Sequence, residues 1–454
     1  MKYIGFILLV VVAVIIVLLL IAVLRTLLMP SKTSTYVADE PEEALALAQK
    51  LSKMIQYDTT SYANVAEVEK FLGFHKVLEE LFPLVHEKLE KTEIDGNLLF
   101  YWKGKSSEKP ILLMSHQDVV PAEGEWIHAP FSGDIAEGKV WGRGASDTKA
   151  SVMAFFQAVE ELLSEGFVPP TDVYLASSCT EEWGGDGAPK IVAELQRRGI
   201  ELFLVCDEGG AIITEPIGGI HGNFAMVGVL EKAKADVKFT ARSNGGHASA
   251  PSKGTPIARL SAFVNEVETH SPFRKKLLPE VSAMFTELAP YAGFGMKLVF
   301  GNVWLFGPVL KAVMPAISAQ AGAMLKTTIA FTVQKGSDAY NVLPQEAYVG
   351  ANMRFIPHQG EKESLEIIKK IAGKYGLETE VLHANDYTPP VDIHGEAFHL
   401  VEQTIADTFP GLPSSPYDDG CDRCTVLPAH LQELHPLRTG SLRTGTDEGN
   451  ARTE

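Results

Sequence analysis

The sequence predicts an α/β protein that carries a smaller inserted α+β domain and is preceded by one apolar helix. Three observations lead to this prediction: a continuous apolar stretch at the N-terminus, strand-length apolar runs that alternate with amphipathic helical stretches, and a change of character near residue 231. At 454 residues the chain is too long for one ordinary core, so two packed units are expected.

The apolar stretch at the N-terminus predicts a membrane anchor over residues 1–29. Every residue from Ile4 to Leu24 is apolar or glycine, which is long enough to cross about 30 Å of hydrocarbon as a helix. The residues that follow Leu24 offer no small-residue cleavage site, so an uncleaved single-pass anchor is expected.

A polar, Pro-containing stalk is predicted over residues 30–42. Lys2 and Arg25 place one fixed positive charge on each side of the anchor, so charge alone does not determine its orientation. A folded domain that follows an N-terminal anchor is commonly exported, and this domain is therefore predicted to be extracytoplasmic.

Residues 43–230 are predicted to form the first part of the α/β domain. Apolar runs of strand length alternate there with helical stretches, as in a layered sheet with helices on its faces. The predicted strands are Leu98–Trp102, Ile111–Ser115, Val173–Ser178 and Leu202–Cys206, and the predicted helices are Lys149–Glu165 and Ala188–Arg198.

An inserted α+β domain is predicted over residues 231–358. Its evidence is three strand-like segments, Ala235–Ala241, Thr327–Val333 and Ala347–Phe355, and one helical segment, Ile257–Thr269. The stretch between Pro272 and Lys326 is helical and loop-like and has no clear place in this pattern. A helix at Glu361–Tyr375 is expected to return the chain to the first domain, which residues 359–454 complete.

Composition excludes some classes of function. The formal net charge of -17 argues against a nucleic-acid partner, because phosphate binding needs a basic face. Four cysteines in this length do not form a disulfide framework. Cys179 and Cys206 end apolar runs and are expected to be buried free thiols. Cys421 and Cys424 form a C-x-x-C pattern, which is normally a redox or metal signal.

Four acid- or His-bearing turns follow strand-like runs or open a helix. His116 and Asp118 end one strand on the same face, Asp147 lies in a glycine-rich loop before a helix, Glu181 and Glu182 follow the next strand, and Asp207 follows another. Taken alone, each has a simpler explanation. An isolated His-x-Asp is a weak signal, Asp147 taken alone is better explained as a helix N-cap, and adjacent glutamates are equally a solvated acidic turn.

The coincidence of these turns favours a shared site. In open α/β sheets, sites form at the carboxyl ends of the strands, and unrelated surface turns would not be expected to coincide in this way. Nitrogen and oxygen ligands without thiolates suit Zn²⁺ or another divalent ion, and a carboxylate can bridge two ions.

The motifs themselves resemble a known family. S-H-Q-D-V-V-P at 115–121, G-R-G-A-S-D-T-K at 142–149, T-E-E-W-G-G at 180–185 and D-E-G-G at 207–210 are similar to the co-catalytic di-zinc metallopeptidases. That family includes carboxypeptidase S, aminoacylase and bacterial glutamate carboxypeptidase, and the resemblance extends from about Pro41 to Tyr417. It implies a zinc-peptidase-like α/β/α catalytic domain with an inserted lid and dimerisation domain.

The resemblance also implies roles for individual residues. His116 and Asp207 would hold one zinc ion, Asp147 would bridge two, and Glu182 would hold the second. Glu181 would be the general base and acid, and Asp118 would orient His116, as a carboxylate often does for a metal-bound imidazole.

In the insert, the resemblance implies a substrate-binding role for His247, Asn341 and Arg354. His247 lies in G-G-H-A-S and would help stabilise the tetrahedral oxyanion, while Asn341 and Arg354 match segments that hold substrate. The guanidinium of Arg354 suits a bidentate grip on a substrate carboxylate. A homodimer through the lid domain is also implied.

The C-terminal segment departs from the family pattern, which requires a last histidine ligand in a His-Gly-x-x-Glu context. From Asp418 onward periodicity is lost, and Thr444 stands where that histidine is expected; His435 is a weak substitute. Permitted codons for Asp418–Thr439, read one base later, give MTGATDARFYRHISRNCIRFAP, which restores expected elements. We therefore hypothesise a frame shift over residues 418–443, which would make Cys421 and Cys424 an artefact.

The predicted function is hydrolysis of an amide or peptide bond that releases an amino acid with a free carboxylate. The chain would be a membrane-anchored, zinc-dependent carboxypeptidase or N-acyl amino acid hydrolase with two zinc ions or another divalent metal. Its substrate would be a small peptide or an N-acyl amino acid. One alternative is a catalytically impaired, membrane-anchored binding protein that has lost the last metal ligand. A di-metal hydrolase acting on an ester or in deacetylation is another.

Overall fold

The computed structural model of the protein describes residues 2–38, 43–63, 67–385 and 388–418. The α-helices in these ranges are α1 Lys2–Leu28, α2 Ala44–Ile55, α3 Val68–Leu81, α4 Pro83–Lys88, α5 Lys149–Ser164, α6 Gly187–Arg197, α7 Pro256–Thr269, α8 Pro279–Leu288, α9 Phe294–Phe300, α10 Val303–Ile317, α11 Ala319–Ala323, α12 Gly360–Lys374 and α13 Glu396–Thr408. A short 3-10 helix, Ala289–Tyr291, lies between α8 and α9.

The β-strands are β1 Glu90–Ile94, β2 Asn97–Trp102, β3 Ser106–Met114, β4 Ile135–Ala136, β5 Lys139–Val140, β6 Thr171–Ser177, β7 Leu204–Cys206, β8 Ala211–Thr214, β9 Asn223–Leu230, β10 Ala233–Arg242, β11 Gly246–His247, β12 Thr328–Lys335, β13 Val342–Leu343, β14 Glu346–Phe355, β15 Glu378–Ala384 and β16 Ser414–Asp418. Each strand and helix predicted in the α/β part of the sequence overlaps an observed one.

The chain divides into two compact units. The α/β unit comprises Ser34–Val229 and Val391–Ser415, and the insert unit comprises Met1–Thr33 and Leu230–Pro390. In the α/β unit the principal sheet has the strand order β1-β2-β6-β3-β7. Strands β6, β3 and β7 run parallel, and β1 and β2 are antiparallel additions at one edge.

Helices cover both faces of that sheet because its strands alternate their side chains between two cores. Leu98, Phe100 and Trp102 of β2 pack in a core with residues of α2, α3 and α5. Leu99 of β2 faces the other way, into a core with Ile191 and Leu195 and further residues of α6. This alternation with a period of two residues produces the predicted α/β/α layering.

The insert unit is built on an antiparallel sheet in the order β12-β14-β10-β15. One face of this sheet is apolar and packs on α7 and α12, with Phe239 and Phe263 among the buried residues. Because β15 pairs with β10 and α12 contributes to the same core, the helix near residue 361 does not return the chain to the α/β unit. The unit ends at Pro390 rather than at the predicted residue 358.

The segment between Pro272 and Lys326, which the sequence pattern could not place, is mainly helical. It contains α8, α9, α10 and α11, and α9 and α10 meet at an angle of 101°. In the described part of the chain, α1 is the one single helix that is long and apolar enough to cross a membrane. The bent pair α9–α10 passes the same test only when its two helices are joined.

Part of the predicted stalk is ordered on the α/β unit. The Ser34 hydroxyl donates to the Asn223 carbonyl over 2.6 Å, and the Tyr36 ring lies edge-on to Phe409, with centroids 5.7 Å apart. Residues 39–42 and the predicted frame-shifted segment beyond Asp418, including Cys421, Cys424, His435 and Thr444, lie outside the described residues.

Cys179 is a free thiol, as predicted, and the environments of Cys179 and Cys206 differ. Cys179 is buried, and burial raises the pKa of its thiol to about 12. Cys206 is only half-buried, so its burial was overestimated from the sequence.

Candidate metal centre

The candidate site lies where three adjacent parallel strands end. His116 follows β3, the central strand of the three, Glu181 and Glu182 follow β6 on one side, and Asp207 and Glu208 follow β7 on the other. Parallel strands bring their carboxyl ends to one edge of the sheet, which is why residues distant in sequence meet there.

The backbone around His116 is fixed by an extension of the sheet. The Ser115 amide donates to the Ala176 carbonyl over 3.2 Å, and the Gln117 amide donates to the Ser178 carbonyl over 2.8 Å. These two bonds continue the β3–β6 pairing beyond the end of β3 and leave the His116 side chain between them, only 2% exposed.

The His116 imidazole faces three carboxylates. Its Nε2 atom lies 3.2 Å from Asp147 Oδ1, 3.3 Å from Glu208 Oε2 and 3.7 Å from Glu181 Oε2. In the described part of the chain, His116, Asp147 and Glu208 form a group whose ligand atoms all lie within 4.8 Å of one another. One nitrogen and several carboxylate oxygens are a donor set suited to a divalent cation.

Asp147 reaches this group from the glycine-rich loop before α5. Gly142 and Gly144 have φ angles of +145° and +87°, and a Cβ on Gly142 would lie 2.4 Å from Ile55 Cγ2. Only glycine fits both the backbone conformation and the close approach, so the loop can turn sharply into the site. The peptide bond between Asp147 and Thr148 is cis.

Lys149, at the start of α5, holds this loop through hydrogen bonds to backbone carbonyls. Its ammonium group donates to the carbonyls of Met54 and Tyr57 over 2.9 and 2.7 Å, and it lies 4.9 Å from the centre of the Phe74 ring. The side chain is fully buried, and burial lowers its pKa to about 7. Lys149 therefore ties the loop that carries Asp147 to the end of α2.

Asp118 organises both sides of the site. The Asp118 carbonyl lies 2.9 Å from His116 Nδ1 and its Oδ1 lies 3.3 Å from the same atom, so this edge of the ring faces Asp118 while Nε2 faces the carboxylates. The Asp118 carboxylate also accepts hydrogen bonds from the amides of Glu181 and Glu182, over 3.2 and 3.1 Å. The residue predicted to orient His116 thus also holds the loop of the predicted base.

Ser61 supports Asp118 and was not identified from the sequence. Its hydroxyl donates to Asp118 Oδ2 over 2.7 Å, and its amide donates to the Val119 carbonyl over 3.1 Å. Ser61 lies in a polar loop without periodicity, so no local signal could have connected it to Asp118, 57 residues later.

Glu208 was also missed, because the D-E-G-G turn offers two adjacent acids. The resemblance assigns the ligand role to Asp207, whereas the side chain that joins His116 and Asp147 in the structure is that of Glu208, which is 3% exposed. The Asp207 carboxylate accepts the Glu208 amide over 2.8 Å, and Asp207 lines the same small cavity as His116 and Glu181. The sequence could not tell which of two neighbouring acids points inward.

The negative charges of the cluster shift the pKa values of its members. Burial alone would lower the pKa of His116, but the charge of Glu208 and hydrogen bonds with neighbouring carboxylates outweigh it and hold that pKa well above its usual range. Burial raises the pKa of Glu181 to about 8, opposed by the charge of His116 and assisted by that of Glu208. A carboxyl with a pKa near neutrality is suited to both taking and giving a proton.

A cavity of about 800 Å³ adjoins the Glu181 loop within the α/β unit. Thr180, Gly184 and Gly185 line both this cavity and the small one around His116. Its wall also includes the apolar side chains of Phe71 and Trp183. The candidate site therefore adjoins a space large enough for part of a small substrate.

The three residues predicted to bind substrate all belong to the insert unit. His247 and Asn341 are exposed neighbours there, since β11 pairs with β13 and the Ala248 amide donates to the Asn341 carbonyl over 3.0 Å. Arg354 lies on β14, where its Nε donates to Asn352 Oδ1 over 2.8 Å. Asn352 in turn donates to Asp236 Oδ1 over 2.8 Å, so the polar face of the sheet holds Arg354 in place.

A comparison with protein families matches residues 112–424 to peptidase family M20/M25/M40. The chain belongs to this family. The match begins in β3 and includes the turns that carry His116, Asp147, Glu181 and Glu208. It confirms the resemblance drawn from the motifs and identifies the chain as an enzyme, a metallopeptidase or amidohydrolase.

Curated relatives support the same assignment. The chain is 33% identical to probable carboxypeptidase S-like 2 of Dictyostelium discoideum over 384 residues, which are 82% of this chain and 73% of that protein. It is 34% identical to the human N-fatty-acyl-amino acid synthase/hydrolase PM20D1 over 382 residues, 81% of this chain and 75% of the relative. Carboxypeptidase S of Saccharomyces cerevisiae is 31% identical over 418 residues, 81% of this chain and 70% of the yeast protein.

Solved structures show the same mixed α/β fold. The M20 family metallo-carboxypeptidase Sso-CP2 from Sulfolobus solfataricus aligns with a TM-score of 0.59 at 18% identity, covering 84% of this chain and 87% of that one. The dipeptidase Dug1p from Saccharomyces cerevisiae aligns with a TM-score of 0.61 at 15% identity, covering 88% and 90%. At these identities the similarity establishes the fold alone.

Replacing Asp118 with Asn should reduce both metal affinity and activity by about 10- to 100-fold, because the carboxylate fixes His116 and the Glu181 loop together. Zinc titration and initial rates on an N-acyl amino acid measure the two effects. Asp172→Asn is the matched control, since Asp172 is also buried and accepts the Gly104 amide over 2.8 Å at the opposite end of β6. Equal losses in both variants would contradict a role specific to the site.

The metal-free protein should become less stable as the pH rises. The pKa values of Glu181 and His116 are raised in the folded state, so these two groups bind more protons in the folded chain than in the unfolded chain above about pH 5. The resulting stability is complete below the unfolded pKa values and is lost as the pH rises through the folded values. Melting temperatures of chelator-treated protein should therefore fall between about pH 5 and 7, below the range in which the lowered pKa of Lys149 acts in the opposite direction. Glu181→Gln should flatten this dependence, and a level or rising profile for the unsubstituted chain would contradict it.

Proposed function

We propose that this protein is a membrane-anchored, metal-dependent hydrolase that cleaves an amide bond and releases an amino acid with a free carboxylate. The observation that carries the proposal is the convergence of Asp147, Glu181 and Glu208 within 3.7 Å of one imidazole nitrogen of His116. Such a concentration of negative charge favours a bound cation, and metal-dependent amide hydrolysis is the activity that family membership supports.

The donors fit a divalent metal ion. His116, Asp147 and Glu208 would hold it, since their ligand atoms already lie within 4.8 Å of one another. We propose that Glu182 and Asp207 contribute to a centre of two zinc ions, or of another divalent metal, in which Asp147 is shared. When bound, such ions polarise the amide carbonyl and lower the pKa of water.

Glu181 is the proposed general base and acid. Its carboxylate is half-buried beside the donor group, and its pKa, raised by burial to about 8, would be lowered toward neutrality by a nearby cation. Glu181 would take a proton from the attacking water at Oε2 and deliver it to the leaving nitrogen. Asp118 keeps this side chain in position because it holds the backbone of the Glu181 loop.

The proposed substrate is a small peptide or an N-acyl amino acid. Relatives named as a carboxypeptidase and as an N-fatty-acyl-amino acid synthase/hydrolase support this class. Arg354 would bind the substrate carboxylate, and Asn341 and His247 would contribute to substrate binding and oxyanion stabilisation. A homodimer through the insert unit stays a prediction.

We propose that α1 is a single-pass anchor with the catalytic unit on the extracytoplasmic side. The helix Tyr3–Leu28 contains 26 residues and would extend about 39 Å, sufficient for a bilayer. Only 6% of its most apolar window is buried within the protein, which supports an apolar environment around it.

A second candidate function is that of an impaired binding protein. Thr444 occupies the position where the family resemblance requires a histidine, and the family match ends at residue 424, close to the start of the hypothesised frame shift. A pocket without its last metal ligand would bind substrate without turning it over.

The deciding experiment compares two full-length proteins in detergent. One carries the tail as it stands, and the other carries residues 418–443 in the shifted frame together with Thr444→His. Metal content is measured by mass spectrometry, and hydrolysis is measured on a panel of N-acyl amino acids and dipeptides. We expect two zinc ions and turnover in the repaired protein, with both reduced in the other.

Glu181→Gln in the repaired protein separates catalysis from metal binding. This variant should keep its metal and lose at least about 100-fold in rate, because general acid–base catalysis contributes about 10²- to 10⁴-fold. Equal activity of both tails would mean that His435 or another group replaces the expected histidine ligand. Full metal content without turnover of any amide would contradict the hydrolase proposal and favour the binding protein.

Arg354→Ala should raise KM by about 10- to 100-fold for substrates with a free carboxylate, since a bidentate charge-assisted pair contributes about 1.5–3 kcal/mol. Arg354→Lys should recover only part of the loss, and Lys238→Ala on the neighbouring strand β10 should have little effect. KM is measured for each acid and for its carboxamide. An equal rise in KM for the carboxamide would show that Arg354 does not bind the substrate carboxylate.

A further inference from the structure

The C-terminal end of α1 is locked to the corner between α9 and α10 within the insert unit. The Asn302 amide nitrogen is 3.2 Å from the Ala22 carbonyl and 3.1 Å from the Thr26 hydroxyl, and Asn302 is fully buried. The buried ammonium of Lys297 donates to the Ser31 hydroxyl over 2.7 Å just beyond the helix. A Cβ on Gly301 would lie 2.6 Å from Met29 Cε, so the two segments are in close contact.

This contact fixes how deep the corner lies if α1 spans a bilayer, as proposed above. Ala22 lies within the uninterrupted apolar stretch and six residues before Leu28, which corresponds to about 9 Å along the helix axis. Asn302 is bonded to the Ala22 carbonyl and so lies at the same level. The start of α10 is therefore drawn toward the boundary between headgroups and hydrocarbon.

Helix α10 has the composition of a segment surrounded by apolar material. Lys311 is its only charged residue, yet only Gly307, Leu310 and Met314 are buried. Val309 is 54% exposed and Ile317 is 71% exposed. A helix that is apolar on all sides is normally buried in a core or a membrane, and neither surrounds α10 within the described protein.

A basic cavity of about 500 Å³ lies beside α10. Arg25 of α1 and Lys276 and Lys311 of the insert contribute its positive charge, in a protein whose net charge is -17. Ser282 and Thr286 add hydroxyl groups to its lining. This excess of positive charge matches a phosphate-containing headgroup with a net negative charge rather than a zwitterionic headgroup.

Trp304 connects the basic cavity with the apolar helix. Its ring lines the cavity and is 49% exposed, and its indole nitrogen donates to Asn302 Oδ1 over 3.2 Å. Tryptophan with one polar and one apolar side is typical of the membrane–water interface.

We propose that α10 and its corner with α9 lie in the membrane interface and that the basic cavity binds the headgroup of an anionic phospholipid. The inference rests on the proposed anchor α1 and is independent of the proposed hydrolase activity. It gives the insert unit a second attachment to the bilayer, through an apolar helix and a phosphate-binding cavity, in addition to the spanning helix.

The test uses the full chain in nanodiscs and quenching of Trp304 fluorescence by brominated phospholipids. Subtracting the signal of Trp304→Phe isolates Trp304 from the other four tryptophans. In discs of 80% phosphatidylcholine and 20% phosphatidylserine, bromine is placed on the acyl chains of either lipid in separate samples. We expect strong quenching, and at least about twofold more quenching per brominated chain from phosphatidylserine, because the charged cavity enriches it locally.

Lys276→Gln with Lys311→Gln should abolish the preference for phosphatidylserine while Trp304 stays quenched by both lipids. Lys369→Gln with Lys370→Gln, on exposed positions of α12, removes the same charge and should leave the preference unchanged. Thermal melting of both double variants shows whether they remain folded. An unchanged preference in the first variant overturns the headgroup site.

Quenching of Trp304 by aqueous iodide without quenching by brominated lipid overturns the interfacial location of α10. Failure of the protein to co-purify with nanodiscs at all contradicts the anchor, and this inference falls with it. A chain that co-purifies but shows no lipid quenching of Trp304 retains the anchor and loses only the present inference. None of these outcomes depends on turnover.

Discussion

His116 and the carboxylates around it impose the constraint on which the rest of the α/β unit depends. Three acidic side chains lie within 3.7 Å of one imidazole nitrogen, at a position where His116 and Glu208 are almost inaccessible to water. Charges of one sign cannot share a buried space unless a cation compensates them. In the metal-free molecule a proton on the imidazole and one on Glu181 supply that compensation, because the charge of Glu208 and hydrogen bonds from carboxylates raise the pKa of His116 and burial raises the pKa of Glu181.

Neutral backbone groups hold this arrangement together. The pairing of β3 with β6 extends past its last strand residues and fixes His116, while Asp118 distributes its carboxylate oxygens between the Ser61 hydroxyl and the amides of the Glu181 loop. Because each donor is fixed in the fold, the site can keep its charges close before any substrate arrives. Such preorganisation is the main way in which proteins stabilise charge that develops during a reaction.

Much of the α/β unit and of the candidate site could be predicted from the sequence. Strands are recognisable there as apolar runs, and the polar residues that follow them form recognisable motifs. The sequence could not predict which way a side chain points or which core a helix joins. Adjacent Asp207 and Glu208 are equivalent in sequence, and only the turn after β7 decides that Glu208 faces His116. Likewise, α12 has the pattern of an amphipathic helix whichever core it joins. In the structure α12 packs in the core of the insert unit, and β15, which follows it, pairs antiparallel with β10 of the same unit. Ser61 gave no signal because its role depends on a contact across 57 residues.

Helix α10 was difficult to place from sequence for a different physical reason. Apolar periodicity locates a helix because one face is buried and the other is wet, and α10 has no polar face apart from Lys311. The pattern is therefore uninformative when both sides meet apolar surroundings, as they do at a bilayer. The buried amide of Asn302 offers an independent indication. It is bonded to the carbonyl of Ala22, so it connects the start of α10 to the C-terminal end of α1. Among the described helices, α1 is the one whose length and composition alone indicate a membrane span. The same polar contact explains why the corner can approach hydrocarbon without leaving that amide unsatisfied.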